Sequence, residues 1–297
     1  MNNKLNSHKQ KLKEFFIKVY QSEKEQANFL EDFYLEYLKT GKSDFEFKTV
    51  VFGREKLVKY EVSRILQQYS YGFKIPKAIV DFENNSNNIS FTELLNAYYF
   101  DVLVNARAFS ESKQIDGVLH TDLCMTLLLT LSYFPDKIEI ISNQLIRFLE
   151  ENAQKLQKYA VQEFGRGSLL YLVVEILKLR DFSAHAATIS KYCIKPISCY
   201  QEAFESAISN DEQKFSDAIE ELVAFHLSNS KADLTLPFNH ERWQYMPIEI
   251  MSLIKLFESN GSKLLKEISL ISDFNSFLYL PIELSEETLL LESRILC

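Results

Sequence analysis

The sequence predicts an all-α fold, a layered antiparallel array of solenoid-like helical hairpins, and three observations lead there. Apolar residues recur at three- and four-residue steps along most of the chain. Only 7 Gly and 6 Pro are available for turns, too few for the tight hairpins of an all-β protein of this length. The breaks between apolar segments are short and polar, which favours antiparallel helix neighbours.

From His8 to Lys39 the positions Leu12, Phe15, Phe16 and Val19, then Phe29, Leu30, Phe33 and Tyr37, mark one amphipathic helix ended by "TGKSD". "FEFKTVVF" reads as a short strand or extended connector, and Arg54 to Tyr71 returns to helical spacing. Pro76 and "ENNSNN" then make a loop, after which Ser90, with Glu93 three residues on, has the pattern of a capping box for a helix reaching about residue 109. Further helices are expected near 117–133, 136–160, 168–180, 183–194, 197–209, 211–228, 247–259 and 285–296, separated by "YFPD", "FGRG", "KLRDF", "IKP", "SND" and "SNG". "LCMTLLLTLSYF", Leu123 to Phe134, falls short of the roughly 20 residues of a membrane span and reads as a buried central helix. The expected organisation is a single helical domain over 1–297, with the 82–89 loop as the one place where an N-terminal subdomain (1–82) and an array (90–297) would part.

At 46% hydrophobic content the chain can bury a substantial core. Its net charge of -8 has the wrong sign for gripping phosphate backbones, so no nucleic-acid partner is expected and a basic protein partner is. Residues 1–24, with six Lys and two Glu, are a local basic exception. Cys124, Cys193, Cys199 and Cys297 form no CxxC pair, which suits free thiols in a reducing cytoplasm. The basic start "MNNKLNSHKQKLKEFFIKVY" has no uninterrupted apolar stretch, so neither a secretion signal nor membrane attachment is expected.

Candidate chemistry is sparse. Asp116, His120 and Cys124 lie four residues apart, on one helical stripe, as three metal ligands would; Leu123, Leu127 and Leu131 share that side, as they would in a core with one hydrogen-bonded His and an inert Cys. "FGRGS" offers Arg166 and backbone N–H groups to an anion but lacks Walker spacing, and its two glycines equally suit a helix C-cap and turn. His240-Glu241 has no second His four residues on, so the zinc-protease pattern fails. Trp243 and Tyr245 read as a packed lead-in to a helix starting at Pro247, with Glu249 in its favourable first turn. His226 reads as a core or capping residue, and His8 and His185 have no partner visible in the sequence. No cofactor, metal or catalytic residue is expected, and the chain is not expected to be an enzyme.

Residues 200–230 read as a helical hairpin turning at "SND". Tyr200, Phe204, Ala207 and Ile208 form one apolar stripe; Phe215, Ala218, Ile219 and Leu222 form the next. Glu202, Glu205, Asp217, Glu220 and Glu221 stand on the outward sides, and seven acids against Lys214 give residues 200–223 a charge of -6. Such a face is either simply solvated or a docking surface for a basic partner; as a convex surface it suits no acid/base pair.

The pattern Ala207-Ile208, Asn210-Asp211, Phe215, Leu222 and His226, followed by Trp243, Pro247 and Glu249, resembles the all-helical immunity proteins of bacterial polymorphic toxin systems, most closely the immunity protein forty-nine group. The resemblance covers the last third of the chain. It implies a non-enzymatic protein that binds a cognate toxin domain and blocks it; it assigns no contact residues, since the matched positions are structural. The acidic face is nominated by its charge alone, and it would suit a basic toxin such as a nuclease. The alternative reading is a helical adaptor that binds peptides or proteins in a groove lined by aromatics.

Overall fold

The computed structural model describes residues 2–111, 120–159, 168–193, 198–233 and 236–296. It is helical as expected, apart from one two-stranded hairpin. The chain divides into two compact units: Met1–Leu12 with Gly117–Pro281, and Lys13–Asp116 with Ile282–Cys297. The division does not fall at the 82–89 loop.

The second unit contains most of α1 (Asn2–Thr40), β1 (Asp44–Val51), β2 (Arg54–Glu61), α2 (Val62–Tyr69), α3 (Ile75–Asn84), α4 (Asn88–Glu111) and α13 (Glu286–Leu296). The helix expected from Arg54 begins only at Val62, because Phe52 and Gly53, both at positive φ (52° and 73°), make a two-residue turn that folds Arg54–Glu61 back on β1. Val58 and Tyr60 then alternate with exposed residues, the two-residue period of a strand. At the hairpin's root Phe45 is buried, its ring centroid 4.7 Å from that of Phe33.

α2 and α3 are joined by a single π turn, Ser70–Lys74, where the buried Ser70 Oγ donates to Asp101 Oδ1 at 2.9 Å. α4 is buried on nearly every side from Phe91 to Ala106 and forms the centre of this unit against α2, α3 and α13. Tyr34 stacks on Tyr69 (5.4 Å) and meets Phe100 edge-on (5.4 Å). The cap of α4 is Asn87, whose Oδ1 accepts from Ile89 N (2.9 Å) and Ser90 N (3.0 Å); Ser90 is not the cap. Ser90 Oγ instead donates to Asn85 O at 2.6 Å, closing the preceding turn.

In the first unit, α5 (His120–Tyr133), α7 (Ser168–Leu179), α9 (Ser198–Ser209) and α12 (Ile248–Ser259) pack each against the next, and α12 closes back on α5. All four run the same way. Asp122 in the first turn of α5 meets Trp243 just ahead of α12, Ser132 meets Ser252 (2.7 Å) further along, Asn260 Nδ2 reaches Ala207 O (3.3 Å) where α12 and α9 end, and Leu179 at the end of α7 lines the same pocket as Ile208 and Ser259 at those two ends. α6 (Ile138–Tyr159), α8 (Ser183–Ser190) and α10 (Glu212–Asn229) pack antiparallel to the helices they follow and carry the chain back. α5 is the buried central helix its unbroken apolar run predicts. The short α11 (Glu241–Tyr245) precedes α12.

Candidate functional site

The acidic hairpin is α9 and α10. Asp211 Oδ1 caps α10 by accepting from Lys214 N at 2.9 Å, and Asn210 takes the left-handed φ of 57° that lets the chain reverse in three residues. Its inner side is held by Tyr200, Phe204, Ala207, Phe215, Ala218, Ile219 and Leu222, all buried; Phe215 stacks on Phe257 of α12 at 4.1 Å. Ile208, expected on that stripe, is instead 44% exposed, because it lies one position past Ala207 and rotates out of the contact as α9 ends.

Glu202, Glu205, Asp217, Glu220 and Glu221 are all exposed. Glu205 and Asp217 accept from Gln201 (2.8 Å) and Gln213 (2.9 Å) one turn earlier, and Glu220 faces Lys266 at 3.2 Å. Among the described residues Glu202 and Glu221 make no ion pair. Both sit near the Cys199 thiol, whose pKa is pushed up to about 11 by burial first and then by Glu221 and Glu202.

Behind this face lie two buried polar pairs. Asp122 Oδ1 accepts from Arg242 Nη2 and Trp243 Nε1, each at 2.8 Å, and His240 Nε2 is 3.7 Å from Asp122 Oδ2. His226 Nδ1 lies 2.6 Å from Glu249 Oε1, with Nε2 3.4 Å from the Gln244 carbonyl. Asp122 and Glu249 stand in the first turns of α5 and α12, where the positive ends of parallel helices offset part of the cost of burying a carboxylate. The other end of the ring carries Lys255, its ammonium 3.7 Å from the Tyr133 ring centre. Burial, with Arg180 adding to it, lowers the Lys255 pKa to about 8.

Among the described residues the remaining sequence candidates do not assemble into a centre. Asp116 and residues 164–167 of the "FGRGS" segment, Arg166 among them, lie outside the described residues, as does the side chain of His120. Cys124 is fully buried and its thiol is held well above its usual range by that burial, the opposite of an activated nucleophile. Among the described residues no three His, Cys, Asp or Glu side chains gather as metal ligands would. His240-Glu241-Arg242-Trp243 is a structural corner, but its acceptor is Asp122, far away in sequence.

One feature left no trace in the sequence. A cavity of about 590 Å³ in the second unit is lined by residues of α1, the α2–π–α3 segment, α4 and α13, among them Glu31, Tyr69, Lys74, Lys77, Glu93 and Glu287. Its ammonium groups are neutralised in place: Lys74 pairs with Glu287 and Lys77 with Asp81, each at 2.6 Å. Tyr69 donates to Glu31 at 3.0 Å, and burial followed by the Glu31 charge keeps that phenol protonated. Among the described residues no His or Cys lines the cavity.

No family model matches the chain, and no curated protein or solved structure is similar to it.

Proposed function

We propose that this protein is an immunity protein that binds and neutralises a cognate basic toxin domain through the α9–α10 face. The observation that carries the reading is the hairpin's division of labour. One side is locked into the core by seven buried residues, while the other presents Glu202, Glu205, Asp217, Glu220 and Glu221 to solvent. A rigid array of carboxylates steers a cationic partner and accelerates its association, with steep salt dependence. A toxin surface shaped to bind phosphates would bind it in competition with its substrate.

Co-expression with the toxin encoded by the neighbouring gene tests this. Protection should be lost when the five acids are reversed to Lys, and association should slow about tenfold or more between low and moderate salt. A neighbouring product that is harmless alone, or protection that survives the reversal, overturns the assignment to this face. A second reading, a helical adaptor that takes a peptide in a groove, draws on the α2–α3–α4–α13 cavity, where Phe73 offers aromatic contact.

A further inference from the structure

The β1–β2 hairpin has an uncovered edge. Among the described residues it is the whole sheet, and two strands alone are marginal in water. The two-residue turn fixes which backbone groups are spent. Val51 and Arg54 flank it and exchange the first pair of ladder bonds, so Lys56, Val58 and Tyr60 also turn their N–H and C=O groups toward β1. Glu55, Leu57 and Lys59 turn theirs outward. The side chains of those three residues share one face, and Leu57 at its centre is 59% exposed.

We propose that β2 pairs antiparallel with β2 of a second copy of this chain, Leu57 lying opposite Leu57 across a two-fold axis. Only residues with outward backbone groups can exchange the new bonds, which leaves three nearby registers. Placing Leu57 opposite Lys59 sets Glu55 against Glu61 and repels. Placing Leu57 opposite Glu55 leaves Lys59 facing the turn glycine. Centring on Leu57 sets Glu55 opposite Lys59 of the second copy, twice, buries two exposed leucines against each other and forms six new backbone hydrogen bonds. Within each hairpin Glu46 already pairs with Lys59 (2.7 Å) and Lys48 approaches Glu55 (3.9 Å). The four-stranded sheet would therefore carry unbroken rows of alternating charge, Glu46, Lys59, then Glu55 of the second copy. Lysines on an edge ordinarily discourage pairing; here Lys59 meets Glu55 of the second copy, and Lys56, on the opposite face, lies across from Val58.

Sedimentation or light scattering of the full chain tests the proposal, independently of any toxin. The wild type should be dimeric at micromolar concentration. Leu57→Pro removes one outward N–H and no bond to β1, and should give a folded monomer. Lys59→Glu and Glu55→Lys each set like charges across the axis and should raise the dissociation constant at least about tenfold. Mixed in equal amounts, the two should form a heterodimer, since each then supplies the charge the other lacks. A monomeric wild type, an unaffected Leu57→Pro variant, or single-charge variants that fail to recover on mixing would each overturn it.

Discussion

His226 and Glu249 face each other at 2.6 Å with neither side chain exposed, and among the described residues the second oxygen of Glu249, Oε2, has no hydrogen-bond partner. The pair ties α10 to α12 and so fixes the inner side of the acidic hairpin. Truncating either member leaves the other buried without its partner. His226→Ala and Glu249→Ala should each cost about 2–5 kcal/mol, and a double-mutant cycle by urea unfolding should show strong coupling.

Asp122 holds the only tryptophan. Asp122→Ala removes the acceptor shared by the buried Arg242 guanidinium and the indole N–H, so it should destabilise by about 3–5 kcal/mol and shift the fluorescence of Trp243. Asp122→Asn keeps an acceptor and should cost less. Equal effects of the two substitutions would show that shape, and not the hydrogen bonds, sets the site.

Lys255 gives stability a distinctive dependence on pH. Its pKa falls from 10.5 unfolded to about 8 folded. Below about 8 both states carry the charge and the burial penalty applies in full; between 8 and 10.5 the folded state has shed a proton that the unfolded state retains. This group's contribution therefore rises with pH across that window. Lys255→Met should abolish the rise and be more stable at pH 7 by about 1–3 kcal/mol, part of the gain being offset by the lost contact with Tyr133. Urea midpoints of both proteins from pH 7 to 10 decide it.

The exposed acids should matter little for folding. Changing Glu202, Glu205, Asp217, Glu220 and Glu221 together to their amides should move stability by no more than about 1 kcal/mol, because none is buried and like charges are relieved. A large loss would mean that this face supports the hairpin.

Phe52 occupies a left-handed conformation at the hairpin tip with its side chain 99% exposed. Phe52→Asn should stabilise the hairpin by up to about 1 kcal/mol, read by thermal unfolding, since Asn tolerates that conformation better.

Most helices were legible because their apolar spacing survives in one dimension: α5 from its unbroken run, α10 from Phe215, Ala218, Ile219 and Leu222, α12 from Ile250, Ile254 and Phe257. What stayed hidden depends on three. The 54–61 strand looked helical because Leu57, Val58 and Tyr60 fit either spacing, and the Phe52-Gly53 turn decided between them. Asp122 gave no sign of meeting Trp243 and Arg242, roughly 120 positions away. The cavity beside the π turn gathers residues from four segments whose local patterns are ordinary. Of the acidic face, all five residues could be placed outward from spacing alone; the pairing of Glu220 with Lys266, 46 positions on, could not.

Because α5, α7, α9 and α12 all point in one direction, the chain must travel the length of a helix before it can begin the next of them, roughly 18 Å for a twelve-residue helix. A tight turn cannot make that journey, so α6, α8 and α10 are indispensable as connectors, yet each needs only one side to hold its place. Their free sides are where selection can rewrite chemistry without disturbing the interior, and α10 carries its acids there.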